Sequence, residues 1–294
     1  MTIKERCMSK RRVVLIGACG TIAGLLLPAL RERYDLLPVD VRTTNKAGET
    51  IDGVVIADVL DSDRDNYRHL FRGADAVVHC GFVVPDDRDV PEAHFRAEYA
   101  NIEMAFNIYQ TALEEGVRRV VVASSNHAAD YYEPLILQHK MDMVTPDMRA
   151  LSDNYYGWAK ECYEHLGFLF AVGKMNGEDG ALRQLENVQV RIGGPRETDV
   201  ANCPPGDMVC VRRALGAYIS QRDMSQLFIK SIEAEDIRDE HGVPFQIFYG
   251  VSENPHAFWS IANARKVIGY APEDNSELRF ADLIAEHIRV AKSG

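Results

Sequence analysis

Arg12-Val13-Val14-Leu15-Ile16-Gly17-Ala18-Cys19-Gly20-Thr21-Ile22-Ala23-Gly24 reads as a buried strand that runs through a glycine turn into a helix. Val13 to Ile16 form a short apolar run of the kind buried on both faces of a parallel sheet. Ile22, Leu25, Leu26, Leu27 and Leu30 then give the helix an apolar side toward that sheet. Gly17 and Gly20 leave the first N–H groups of the helix open to a phosphate, whose negative charge the helix dipole favours. The third small position, where helix and strand must pack closely, is Ala23, with Gly24 one residue later. Two readings of the turn stand: a structural strand-to-helix connection, and a pyrophosphate cradle formed by Gly17, Cys19, Gly20, Thr21 and Ile22.

Asp40 favours the cradle. It closes the second apolar strand, Leu36-Leu37-Pro38-Val39, about twenty residues after the glycines, where a carboxylate accepts both ribose hydroxyls of NAD and repels the extra phosphate of NADP. Arg42, two residues on, keeps an NADP reading open, and Asp40 as a plain strand-end turn residue is the alternative. A further apolar strand, Val54 to Val59, ends on Asp58, which either meets the adenine amine while Val59 packs on the ring or caps a helix. Ala74 to His79 reads as strand four, and Cys80-Gly81 after it would let backbone approach the diphosphate and ribose. His79 itself reads as a structural histidine.

With 294 residues and 46% hydrophobic content, the chain can build one large α/β core with a small lobe. Its 33 basic against 44 acidic residues, a net charge of −11, disfavour nucleic acid and anionic lipid as partners. Cys7, Cys19, Cys80, Cys162, Cys203 and Cys210 form no CxxC pair and lie at no zinc-ligand spacing, so neither a metal nor a disulfide framework is expected, and the location reads as reducing and cytoplasmic. No segment approaches the ~20 apolar residues that span a bilayer. Met1 to Lys10 reads as a solvated tail.

Further along, Pro91 to Glu115 predicts a long helix, with Tyr99, Ile102, Ala105, Phe106, Ile108, Tyr109 and Ala112 recurring at helical spacing as core or subunit interface. Arg118 to Ser125 is strand five. Tyr67 to Phe71 suits a short helix, Asp223 a cap for a helix from Met224 to Glu233, Pro244 to Tyr249 a strand, and Ser276 to Ala291 a closing helix. Tyr156-Gly157-Trp158-Ala159-Lys160 opens an amphipathic segment in which Tyr156 and Lys160, at i and i+4, share one helix face. An ammonium beneath a phenol favours the phenolate, which takes a proton from an alcohol. Ser125 would hold the alcohol's oxygen and Lys160 the nicotinamide ribose while a hydride leaves for the nicotinamide.

A glycine turn, an acidic second strand, a Ser-ended fifth strand and Tyr-x-x-x-Lys, in that order, resemble the extended short-chain dehydrogenase/reductases, the NAD-dependent epimerase/dehydratase family, from Arg12 to the C-terminal helix. Within that group the chain is most similar to the uronate dehydrogenases, through Ser124-Ser125-Asn126-His127, Tyr156/Lys160, Val190-Arg191-Ile192-Gly193, Arg213 ahead of Tyr218-Ile219-Ser220, and Tyr249-Gly250-Val251-Ser252. The resemblance implies an α/β fold: a doubly wound parallel sheet (Rossmann) with a small C-terminal substrate-binding lobe. Residues 11–190 would form the NAD-binding core with Ser125, Tyr156 and Lys160, and 191–294 a substrate-side lobe interleaved with it. It also implies NAD contacts at Asn101 and Pro195, sugar-hydroxyl contacts at Asn126, His127 and Gly194, and a carboxylate held by Arg213. Pro195-Arg196 resembles a pair in sugar-nucleotide epimerases, where Arg196 meets an anion or makes a surface salt bridge.

The departures matter too. Phe82-Val83-Val84 and Gly194 stand where the resembling enzymes place sugar-binding serines, and three segments run long: Asp130 to Asn154, Phe168 to Leu185 and Glu197 to Arg212, all expected at the substrate mouth. The expectation is an NAD-dependent homodimer that oxidises a hydroxyl, the anomeric one, of a sugar, sugar acid or related cyclic alcohol, with Arg213 arguing for an anionic one, and that handles plain uronates poorly. Two alternatives stand beside it: a nucleotide-sugar epimerase or dehydratase with tightly held NAD, and a non-catalytic NAD-sensing protein. The roughly hundred residues after Arg191 are few for a nucleotide-sugar pocket, and a sensor has no use for Tyr156 and Lys160.

Overall fold

The computed structural model describes residues 10–87, 89–177 and 179–293. Nearly all of the basic start, residues 1–9 with Cys7, lies outside the described residues. In chain order the elements are β1 (Arg12–Ile16), α1 (Thr21–Arg33), β2 (Asp35–Asp40), β3 (Val55–Ile56), β4 (Ala76–His79), α2 (Pro91–Glu114), β5 (Arg119–Ser125), α3 (Glu133–Leu137), α4 (Tyr155–Val172), β6 (Met175–Asn176), β7 (Leu182–Arg183), β8 (Glu186–Ile192), α5 (Thr198–Ala201), α6 (Met208–Ala217), α7 (Gln221–Glu233), β9 (Phe245–Gly250), α8 (Ala262–Ile268), α9 (Ser276–Arg279) and α10 (Ala281–Ser293).

Among the described residues, seven strands form one sheet in the order β3-β2-β1-β4-β5-β8-β9, every pair parallel. The two wings wind outward from β1 and β4, so the connections diverge there and leave a crevice at the carboxyl ends of those strands. Because strand side chains alternate, Val13, Leu15, Val78, Val121 and Val190 pack with Leu26 and Leu30 of α1 and Leu227 and Phe228 of α7. Val14, Ile16, Val77, Val120 and Val122 pack on the opposite layer with Ile108, Tyr109, Tyr163 and Phe170 of α2 and α4. Each fully buried side chain of this kind contributes about 1.5–3 kcal/mol. A third cluster, with Ala129, Ile136, Val144, Tyr249, Val251 and Trp259, gathers past the ends of β5 and β9.

The structure corrects several sequence expectations. Cys203 and Cys210 are joined by a disulfide, with Cα atoms 5.7 Å apart, because the turn at Pro204–Asp207 folds the α5 end back onto α6; a six-residue spacer gives no such signal in sequence. Phe168 to Leu185 does not border the mouth: it joins the end of α4 to the start of β8, at the sheet edge opposite Ser125, and holds the β6–β7 hairpin. Strand Val54–Val59 shrinks to β3, and Tyr67–Phe71 becomes a 3-10 turn over Arg68–Phe71. The cap of α7 is Ser220, whose Oγ accepts the Asp223 N–H, while the Asp223 carboxylate accepts from Ser252 Oγ and from the Glu273 and Asp274 N–H groups. The closing helix breaks at Phe280 into α9 and α10.

Helix α4 is docked at three levels. At its start a Cβ on Gly157 would run into the His127 carbonyl oxygen and Ser152 Oγ, so only glycine permits that approach. Two turns on, Glu164 forms a buried bidentate ion pair with Arg191 of β8 (Nε to Oε1 2.8 Å, Nη2 to Oε2 2.7 Å), while Ser124 Oγ donates to the same carboxylate at 2.9 Å and Arg191 Nη1 donates to Tyr249 Oη at 2.8 Å. At Gly167 a Cβ would stand 2.5 Å from Asn187 Oδ1. Glu164→Gln, which strands a buried guanidinium, is expected to lower the unfolding free energy by about 3–5 kcal/mol. Urea denaturation at pH 7 reads this directly, and a loss under about 1 kcal/mol would mean that the pair does not anchor the helix.

Candidate active site

At the crevice between β1 and β4 two glycine turns meet. Gly17 has φ +78°, and a Cβ on it would lie 2.5 Å from the Gly81 nitrogen, so the contact between the turns itself demands glycine. Gly81 has a second constraint, Met104 Sδ at 2.7 Å from its would-be Cβ, and its N–H donates to His79 Nδ1. Ala23 is fully buried and supplies the close packing, whereas Gly24 meets nothing within 4 Å. Gly20 is the N-cap of α1 and gives no side-chain cap, and no acidic residue occupies the first turn, which begins with Thr21 and Ile22. The helix therefore presents an uncapped, electropositive terminus at the crevice.

The Asp40 carboxylate is bolted to the same turn: Oδ2 accepts the Cys19 N–H at 2.9 Å and Oδ1 the Arg42 N–H at 3.2 Å. Burial, with the neighbouring Asp40 charge, raises the Cys19 thiol pKa, and its Sγ donates to the Arg42 carbonyl. Asp58 caps the following turn through Leu60 N–H, and Val59 is buried beside it with its carbonyl held by Asn107. Asn101 is buried on α2. It clamps the loop after β4, accepting the Val83 N–H at 2.7 Å and donating to the Val83 carbonyl at 3.0 Å. That clamp sets Phe82 edge-on to Tyr156, ring centroids 5.5 Å apart.

The catalytic candidates converge from β5 and α4. Asn154 caps α4 by accepting the Gly157 N–H at 2.9 Å, which places Tyr156 in the first turn and Lys160 one turn further. Lys160 is buried. Its Nζ donates to the Ala123 carbonyl at 3.1 Å, two residues before Ser125, and sits among the rings of Tyr163 (4.7 Å), Tyr156 (5.3 Å) and Phe82 (5.6 Å). Ser125 Oγ accepts the His127 N–H at 3.2 Å and donates over a long 3.4 Å to Asn126 Oδ1, a weak bond that its proton can leave for a ligand oxygen. Beneath Lys160, burial pushes the His79 imidazole down to about 3, helped by the ammonium, and lifts the Cys80 thiol to about 12 against it. Both are therefore neutral near pH 7.

On the substrate side, Asn126 is buried with its Nδ2 lacking a hydrogen-bond partner, an amide in want of an acceptor. The His127 ring lies 5.6 Å from that of Tyr156, and its Nδ1 is held at 2.6 Å by Asp130, whose carboxylate also accepts from Asn154. Asp130 was missed in the sequence, although its place three residues after His127 was the available signal. Gly194 and Pro195 leave β8; the Gly194 N–H donates to Ala217 of α6, and one turn before Ala217 stands Arg213. Arg213 is already paired, its Nε donating to Glu133 Oε1 at 3.0 Å, which differs from the expectation of a guanidinium awaiting a substrate anion. Arg196 pairs with Asp199 at the surface.

These residues fit a dinucleotide: an uncapped helix terminus for its diphosphate, a carboxylate fixed beside that terminus for a ribose, and a buried ammonium at the reacting end. The profile of the NAD-dependent epimerase/dehydratase family matches residues 13–170. The NAD-dependent glucose-6-phosphate dehydrogenase of Haloferax volcanii is 30% identical over 277 residues, covering 90% of this chain and 94% of that one. A uronate dehydrogenase of Pseudomonas syringae pv. tomato is 28% identical over 276 residues (94% and 86%), and the L-arabinose 1-dehydrogenase (NAD(P)(+)) of Haloferax volcanii 29% identical over 273 residues (90% and 97%). With a family match over more than half its length and relatives aligned along nearly all of it, the chain belongs to the NAD-dependent epimerase/dehydratase family and takes NAD as its cofactor.

Proposed function

We propose that the protein is an NAD-dependent dehydrogenase that oxidises a hydroxyl, the anomeric one, of a sugar, sugar acid or related cyclic alcohol. The observation that carries this reading is the convergence of Ser125, Tyr156 and Lys160 beside the open terminus of α1. The names of its relatives support it, since they are dehydrogenases of glucose 6-phosphate, uronate and L-arabinose. Gly17, Cys19, Gly20, Thr21 and Ile22 would hold the diphosphate, Asp40 the adenosine ribose, and Asp58 with Val59 the adenine. Cys80, Gly81, Asn101 and Pro195 would line the remainder. In this assignment residues 11–190 form the cofactor core and 191–294 the substrate-side part interleaved with it.

When bound, NAD supplies the ring that accepts the hydride. The protein's own residues do the rest. Ser125 Oγ donates to the oxygen of the reacting hydroxyl, and Tyr156 takes its proton. Lys160, anchored on Ala123 by one N–H, would hold the cofactor's ribose with the others. Asn126, through its unpartnered amide, and His127, oriented by Asp130, meet neighbouring hydroxyls; satisfying such a buried amide is worth about 1–3 kcal/mol.

A cytoplasmic location belongs to the same reading, with Cys203 and Cys210 then exposed to that compartment's reducing poise. Among the described residues no helix is long and apolar enough to cross a membrane. The dimer is also part of the proposal. Ala105, Ile108, Tyr109 and Ala112 of α2 are core, but Phe95, Tyr99 and Phe106 stand exposed. Beside them are Tyr155 and Trp158 of α4, the latter stacked on Phe95 at 5.6 Å. An aromatic patch across two neighbouring helices suits a two-fold partner presenting the same face.

Incubation with NAD and a panel of aldoses, uronates and cyclic alcohols is expected to raise absorbance at 340 nm, with kcat/KM for NAD at least tenfold above NADP; NAD held without net NADH, or equal use of both cofactors, would contradict it. Tyr156→Phe is expected to cut kcat by more than a hundredfold while NAD still binds by calorimetry, and a variant keeping a tenth of the rate would assign the base elsewhere. Sedimentation at micromolar concentration is expected to give a dimer that Tyr99→Glu dissociates, whereas a wild-type monomer would return the patch to the surface of a single chain.

A further inference from the structure

Backbone contacts put Arg213 at the mouth of the site. The Ala217 carbonyl, one turn after it, accepts the Gly194 N–H at 2.6 Å, and Gly194 follows β8, whose Ile192 pairs with Ser125. The guanidinium lies 5.9 Å from the Trp259 ring centroid, and its Nε is bonded to Glu133, the first residue of α3, which continues directly from the Ser125–Tyr132 segment. The two side chains are 28% and 20% exposed, shielded enough to hold each other and open enough to meet a ligand. A second carboxylate stands close by. Asp199 Oδ2 lies 3.0 Å from the point a Cβ on Gly194 would occupy, while its other oxygen holds Arg196. Where a serine would offer a neutral hydroxyl, this chain offers a charged acceptor.

We propose that Glu133 sets the charge of the substrate: with Arg213 neutralised from within, the subsite takes an uncharged sugar in preference to a sugar acid or sugar phosphate. The inference rests on the dehydrogenase reading above. A substrate carboxylate approaching Arg213 must share the guanidinium with Glu133, bringing like charges within a few ångströms in a partly desolvated mouth. A hydroxyl escapes that conflict, because it donates to Glu133 or Asp199 and accepts from the remaining guanidinium N–H groups at once. Glu133 is thus a specificity residue, and its negative charge, not its shape, does the selecting.

Matched pairs that differ only at C6 test this: D-glucose against D-glucuronate and D-galactose against D-galacturonate. The wild type is expected to favour the neutral member at least tenfold in kcat/KM. Glu133→Gln is expected to move that ratio at least tenfold toward the acid, through KM for the sugar with KM for NAD unchanged, and Glu133→Asp to keep the wild-type preference. Calorimetry on NAD-loaded Tyr156→Phe gives a readout without turnover: the neutral sugar binds and the uronate does not, until Glu133→Gln is added. A wild type that prefers the uronate, or a ratio that Glu133→Gln leaves within twofold, overturns the inference. NADH from none of the sugars overturns the dehydrogenase reading beneath it, and NADH with an unmoved ratio overturns this inference alone.

Discussion

The buried ion pair between Glu164 and Arg191 is the constraint on which the site depends. A guanidinium and a carboxylate taken out of water offset their desolvation only with near-ideal geometry, and here every strong partner is present: two parallel N–H···O bonds, an O–H···O bond from Ser124, and the Tyr249 hydroxyl on the remaining guanidinium nitrogen. Ser124 adjoins Ser125, and Glu164 lies one turn beyond Lys160. The pair therefore fixes the distance between the strand that carries the serine and the helix that carries the tyrosine and lysine. Apolar residues of similar volume can match its stability but would leave that register unspecified.

Around this anchor, the chemistry is arranged by exclusion of competing charge. His79 and Cys80 are kept neutral by burial beneath Lys160. Phe82, Tyr163 and Tyr156 wall the ammonium without offering it a carboxylate, and Asn101 keeps Phe82 in place from a helix on the far side of the loop. Further out, toward the mouth, stand the carboxylates of Asp130, Glu133 and Asp199. There they orient a histidine, cancel an arginine and face a glycine. In the proposed mechanism the inner groups serve proton transfer and the outer ones serve selection.

Much of this was legible from residue order. The apolar run Val13–Ile16, the glycines after it and Asp40 predicted the cofactor crevice, because each owes its identity to local backbone geometry. Tyr156 and Lys160 were legible because i and i+4 share a helix face. What the sequence concealed depends on distant partners. Glu133 and Arg213 are eighty residues apart and meet where Ala217 packs with Ala129 and Ile136 and accepts the Gly194 N–H. Glu164 and Arg191 give no local signal of pairing. Cys203 and Cys210 pair because a turn closes, not because of a motif. The long segment Phe168–Leu185 was misplaced because length says nothing about which edge of a sheet a connection serves.

The central claim is that the reacting hydroxyl is the anomeric one and that its hydride leaves the enzyme on the cofactor. The most direct measurement uses an aldose deuterated at C1 with unlabelled NAD, followed by mass analysis of the released reduced cofactor. The account predicts one deuterium per NADH and a lactone or its aldonate as product. Unlabelled NADH, or label retained in an epimerised sugar with no NADH released, would contradict it.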